Sequence, residues 1–103
     1  MVPKEEQEIR IKVRYLGLIW KKIGRKEEEL EIGDDSSLSG LLGELARIHG
    51  ENLERLFDAE KEDTIDPTYI LTVNGVLANQ LDGLRTRLED GDEVALMTLI
   101  SGG

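Results

Sequence analysis

The sequence contains no cysteine, which excludes disulfides, thiolate metal sites, a catalytic thiol and a persulfide held on the chain itself. Any sulfur chemistry has to be brought by a partner. A single histidine, His49, cannot build a His-based zinc site, and its place near a predicted helix end points to a structural role. Net positive charge is also lacking. At −9 the chain is a poor ligand for nucleic acid, whose nonspecific affinity comes from neutralised phosphates. No apolar run approaches the roughly 20 residues of a membrane helix. The segment Met1-Val2-Pro3-Lys4-Glu5-Glu6 has no apolar core of a signal peptide, so a cytoplasmic location and no membrane partner are expected.

What is present suits a folded chain. Its 103 residues are enough for one domain with one core, and 39% hydrophobic with 34% charged residues is a globular balance. The charge is uneven. Residues 1–26 hold eight basic and three acidic side chains, and residues 27–103 hold five basic and nineteen acidic ones. Such a dipolar chain can be oriented by a charged partner, although charge runs are more often solvated faces.

From Glu8 to Leu16, Ile9, Ile11, Val13 and Tyr15 alternate with Arg10, Lys12 and Arg14, the period of two that marks a half-buried strand. Leu18 to Lys26 predicts an irregular hairpin connection, and Glu27 to Ile32 a second strand. The run Gly33-Asp34-Asp35-Ser36-Ser37 supplies a turn and an N-cap. A helix is then expected from Ser37 to His49, with Leu38, Leu41, Leu42, Leu45 and Ile48 on one core-facing stripe. Gly40 and Gly43 lie on or beside that stripe and are expected to pack closely against a sheet. Gly50 reads as the stop, Leu53, Leu56 and Phe57 as a short second helix, and Asp58 to Pro67 as a surface loop.

Tyr69 to Val73 predicts a strand, Asn74-Gly75 a tight turn, and Val76-Leu77 a short further strand. Leu81-Asp82-Gly83-Leu84 reads as a tight or single helical turn. Leu88-Glu89-Asp90-Gly91-Asp92 turns the chain into a last strand from Glu93 to Ile100. The order gives an α+β domain with one main helix across one face of a mixed sheet of four or five strands.

No phosphate loop, dinucleotide fingerprint or metal constellation is present in the sequence, and with 22 carboxylates chance proximity weakens any acid–base pair. The chemically unusual feature is Ser101-Gly102-Gly103, which follows directly on the last predicted strand. Two residues without Cβ can thread a narrow channel and bring a terminal carboxylate close to another enzyme's nucleotide. A carboxylate must be activated before it can be attacked, most simply as an acyl-adenylate. A frayed end or a cloning remnant is the plain alternative. The last strand is apolar on both faces, with Val94, Leu96 and Ile100 on one and Ala95, Met97 and Leu99 on the other, so it should be central. The face away from the helix either carries an apolar partner patch running through Ala95, Met97 and Leu99 to Ser101, or is covered by Leu53–Phe57 or a loop. Arg10, Lys12 and Arg14 would flank an open patch as a basic border.

With the strand Ile9-Arg10-Ile11-Lys12-Val13-Arg14-Tyr15, the helix entry Ser37-Leu38-Ser39-Gly40-Leu41-Leu42, Val73-Asn74-Gly75, Leu88-Glu89-Asp90-Gly91-Asp92-Glu93-Val94 and Gly102-Gly103, the chain resembles the ubiquitin-like β-grasp sulfur carriers. These include the small subunit of molybdopterin synthase, the thiamine-biosynthesis sulfur carrier and the small archaeal modifiers. The resemblance implies one β-grasp domain over residues 1–103 with a diglycine tail at about 100–103. It implies no bound cofactor, and adenylation of Gly103 by an E1-like enzyme using Mg-ATP. A sulfur donor protein then forms a thiocarboxylate, or Gly103 passes to a lysine of a target protein. Members serving molybdopterin synthase insert the tail into its large subunit, and in every such role the chain is a substrate or subunit. Two departures bear on the sulfur acceptor. A proline common before the tail of molybdopterin-type members is missing from Leu96-Met97-Thr98-Leu99-Ile100-Ser101, and the acidic segment Glu51–Pro67 is long for a thiamine carrier. A stable synthase subunit and a β-grasp interaction module that is never activated are the competing expectations.

Overall fold

The computed structural model describes residues 8–17, 19–50 and 69–98. Its elements are β1 (Glu8–Leu16), α1 (Ile19–Ile23), β2 (Glu27–Gly33), α2 (Leu38–His49), β3 (Tyr69–Val73), β4 (Val76–Leu77) and β5 (Glu93–Thr98). Two 3-10 turns, Ala78–Gln80 and Gly83–Arg85, lie between β4 and β5. The strands form one mixed sheet in the order β2-β1-β5-β3-β4, with β1 and β5 parallel and every other pair antiparallel. This is the ubiquitin-like β-grasp, with α2 across one face.

The period of two in β1 does what it implies. Ile9, Ile11, Val13 and Tyr15 are buried and meet Leu71, Val73, Val94 and Leu96 of the neighbouring strands with Leu38, Leu41, Leu42 and Leu45 of α2 in one core. Each such aliphatic side chain contributes roughly 1.5–3 kcal/mol relative to exposure. Ser37 caps α2, accepting the Gly40 N–H on its hydroxyl at 3.4 Å. Gly50, at φ 51°, ends it by donating its N–H to the Ala46 carbonyl. Asn74 and Gly75 both have positive φ, 52° and 86°, the backbone twist that a two-residue hairpin requires.

Three expectations change. The connection Leu18–Lys26 is no irregular hairpin, because Ile19 to Ile23 form a helical turn with Ile19 buried and Trp20 and Ile23 packed against the core. Ile48 is 44% exposed. At about 100° per residue it falls at the edge of the stripe centred on Leu38, Leu42 and Leu45, and His49 falls inside it. The same geometry puts Gly40 and Gly43 on the outer side of α2. Both are exposed, and a Cβ at Gly43 would meet nothing within 4 Å, so neither glycine serves close packing. The predicted second helix at Leu53–Phe57, the loop Asp58–Pro67 and the last residues of the expected strand, Leu99 and Ile100, lie outside the described residues. No described helix is long and apolar enough to cross a membrane.

Candidate functional site

The central strand β5 carries the candidate site. Its inner residues Val94 and Leu96 are fully buried, whereas Ala95 and Met97 are half-buried on the other face. Register builds that face row by row. Ala95 stands between Arg14 of β1 and Thr72 of β3, and Met97 between Leu16 and Ile70. Thr72 is paired in turn with Leu77 of β4. Leu16 and Leu77 are 37% and 41% exposed, so an apolar strip crosses the face at the end of the sheet toward which β5 runs. At the β4 edge, Tyr69, Ile70, Leu71, Leu77, Ala78 and Asn79 line a shallow cleft of about 160 Å³. The tail residues Leu99, Ser101, Gly102 and Gly103 lie outside the described residues.

Arg10, Lys12 and Arg14 are on the same face, as their alternation predicts, but they do not form a free basic border. Arg10 reaches Glu29 at 3.9 Å and Glu31 at 3.3 Å, Lys12 reaches Glu27 at 3.4 Å, and Arg14 reaches Glu93 at 3.4 Å. Antiparallel pairing of β1 with an acidic β2 brings opposite charges across from each other. Exposed pairs of this kind add at most about 1 kcal/mol each, but they cancel the local field.

Positive charge without such a partner sits elsewhere. Lys21, Lys22 and Lys26 surround α1 and are exposed, and no carboxylate of the described residues pairs with them. The ammonium groups of Lys21 and Lys26 lie 6.0 and 5.3 Å from the centre of the Trp20 ring, within reach of a cation–π attraction. The signal was in the sequence, since residues 9–26 contain no acidic side chain. What the sequence could not show is which cations the strands would neutralise.

A second cluster lies close by, where the end of α2 meets the start of β2. The Tyr15 hydroxyl donates to Oε2 of Glu28, His49 Nε2 lies 2.6 Å from the same oxygen, and Arg25 Nη1 is 3.3 Å from Oε1. The rings of Tyr15 and His49 meet edge to face with centroids 5.9 Å apart. Burial, and then the hydrogen bond to the Glu28 carboxylate, push the Tyr15 phenol well above its ordinary range. Burial is also the largest single influence on Glu28 and favours its neutral form. The hydrogen bonds from Tyr15 and His49, with the charges of His49 and Arg25, outweigh it and hold the carboxyl below its usual range. A carboxylate satisfied on both oxygens, with a phenol that resists ionisation, is a tether between α2 and the paired strands β1 and β2, consistent with the structural role expected for His49. Among the described residues no three His, Cys, Asp or Glu side chains form a group that could hold a metal.

Comparison with known proteins bears on the whole chain. The family model described as the ThiS family matches residues 13–103. A protein of Archaeoglobus fulgidus named as a candidate sulfur carrier is 30% identical over 76 residues, 73% of this chain and 84% of its own length. Small archaeal modifier protein 3 of Haloferax volcanii is 25% identical over 93 residues, covering 90% of this chain and 98% of that protein. The crystal structure of SAMP1 from Haloferax volcanii superposes with a TM-score of 0.76 at 22% identity, over 91% of this chain and 99% of that one.

Proposed function

Because the chain belongs to the ThiS family, of sulfur carriers and ubiquitin-like small modifiers, we propose that it acts through Gly103, whose carboxylate an E1-like enzyme adenylates with Mg-ATP. The carboxylate oxygen attacks the α-phosphorus and pyrophosphate leaves. A persulfide on a donor protein then attacks the acyl carbon and AMP leaves, giving an acyl disulfide; a second thiol of the donor attacks the donor-side sulfur, so that a disulfide forms on the donor and the thiocarboxylate leaves. An attacking lysine amine of a target protein gives an isopeptide by the same displacement of AMP. The chain is the substrate in this scheme, and the catalytic side chains belong to its partners.

The observation that carries the reading is the family match running through Gly102 and Gly103, directly downstream of the strand at the centre of the sheet. A strand held on both sides is a rigid base from which to present a tail, and glycines let that tail enter a narrow channel. The strip of half-buried Ile70, Ala95 and Met97 with the exposed Leu16 then supplies the partner face, and Leu99 and Ser101 follow it in the sequence. The acceptor we favour is a molybdopterin precursor in the large subunit of its synthase or a related sulfur acceptor. The length of the acidic segment 51–67 supports it over a thiamine carrier.

The test is protein purified from its native host, alkylated with a thiol-directed reagent and examined by mass spectrometry of the C-terminal peptide. With no cysteine in the chain, an alkylated peptide places sulfur on Gly103. Gly103 in isopeptide linkage to other proteins would make the chain a modifier, and neither adduct would sink activation altogether. Intact mass is unsuitable, because sulfur for oxygen adds nearly the same mass as oxidising Met1 or Met97.

A further inference from the structure

Two groups of cations occupy residues 9–26, and the fold treats them differently. Those of β1 are matched by the carboxylates of β2 and β5, and Arg25 is held by Glu28. Lys21, Lys22 and Lys26 are left unmatched by the described residues. Their position is informative. β1 and β5 run parallel and their ends adjoin at Leu16 and Met97. α1 begins three residues after Leu16 and packs against both strands. The three lysines therefore stand at the end of the sheet toward which β5 leads into residues 99–103.

Screening decides what such a patch can do. At physiological salt the Debye length is about 8 Å, so a partner at this end senses the lysines far more than carboxylates elsewhere on a chain whose overall net charge is −9. The apolar strip beside them can supply affinity, and an unmatched charge supplies orientation and encounter rate. The ammonium groups near the half-buried Trp20 ring also gain a weak attraction that favours this position without fixing it.

Resting on the function proposed above, we infer that Lys21, Lys22 and Lys26, set around Trp20, form the surface that docks onto an acidic rim of the protein that receives residues 99–103. The partner is thus a protein whose channel mouth carries Asp and Glu side chains, approached with α1 to one side of the tail.

The experiment measures ATP–pyrophosphate exchange by the host's adenylating enzyme, with the carrier as the varied substrate. The chains compared are wild type, K21E/K22E/K26E, the milder K21Q/K22Q/K26Q, a charge-reversal control R85E/R87E, and a chain lacking Gly102 and Gly103. Thermal melts check that each is folded, and the neutral variant serves if the reversal is not. We expect reversal to raise KM by about tenfold or more with kcat at saturation unchanged, and neutralisation to fall between. Added salt should raise the wild-type KM and close the gap. The R85E/R87E control should stay near wild type. A lysine variant within twofold of wild type, or a control that shifts as far, would overturn the docking surface while leaving activation at Gly103 standing. No exchange with wild type, or full exchange without the diglycine, would instead overturn the function and the inference with it. Trp20 fluorescence titrated with RNA covers the other polyanion. RNA binding lost on reversal, with KM unmoved, would assign the lysines to nucleic acid and defeat the protein rim.

Discussion

His49 Nε2 stands 2.6 Å from Oε2 of Glu28, a residue 21 positions away in the chain. The contact ties the last turn of α2 to the start of β2, and Tyr15 of β1 joins them through the same carboxylate oxygen. Because Glu28 and His49 side chains are only 9% and 11% exposed, each lost partner leaves a poorly solvated group behind.

Tyr15→Phe and His49→Ala are therefore expected to cost about 1–3 kcal/mol each at neutral pH, read by urea denaturation. A cost below about 0.5 kcal/mol would mean the cluster is decorative. The two losses should also be non-additive, since both act on one carboxylate.

The same cluster predicts a pH profile. The folded carboxyl of Glu28 is depressed, so its contribution is present above the ordinary glutamate pKa of about 4.3. It is lost as pH falls through the lower folded value. Tyr15 is raised, so its contribution is complete below about pH 10 and fades as pH climbs above it. Stability should thus fall at both extremes. Glu28→Gln should flatten the acid limb and Tyr15→Phe the alkaline one, in melts recorded across pH.

Gly43 lies in the interior of α2, exposed, with room for a Cβ. Gly43→Ala should stabilise the protein by about 0.5–1 kcal/mol. A destabilised variant would show that the outer side of α2 is covered by something other than solvent.

Asn74 sits at the hairpin and also fastens the start of β5. Its side chain donates to Asp92 at 2.9 Å and accepts the Glu93 N–H at 2.9 Å, and its own N–H donates to the Glu93 carbonyl at 2.7 Å. Asn74→Ala removes the two side-chain bonds and should cost about 1–2 kcal/mol. Asn74→Asp keeps the acceptor and loses the donor opposite a carboxylate. It should be no better than alanine, by the same denaturation measurement.

Met97→Glu places a charge in the centre of the apolar strip without touching the buried side of β5. It should weaken activation of the tail by at least tenfold while shifting the melting temperature by only a few degrees. Arg14→Ala, which breaks a solvent-exposed pair, should change stability by less than about 1 kcal/mol. Equal activation of the Met97→Glu variant would remove this face from the interface.

Much of the fold was legible in residue order. The alternation of β1, the cap Ser37, the leucines of the α2 stripe, the turn Asn74-Gly75 and, from Val94 to Met97, the two-faced apolarity of β5 are local patterns, and each reappears at its expected place. The short helix α1 has no legible signal because its five residues carry too little periodicity, and the burial of Ile19 that stabilises it is a tertiary contact. Ile48 was misplaced at the edge of a stripe, where a small rotation of the helix exchanges it with His49.

Alone, the sequence determined the order of the five strands and of the main helix, the lack of any thiol on the chain and the diglycine after the last strand, because local periodicity and composition carry these. Only the tertiary structure decided which charges remain unspent and which polar groups meet. Strand pairing sets β1 between an acidic β2, which neutralises Arg10 and Lys12, and β5, whose Glu93 neutralises Arg14. Packing α2 over the sheet brings His49 and Tyr15 onto Glu28. Both outcomes depend on register between segments far apart in the chain, and no spacing within one segment records it.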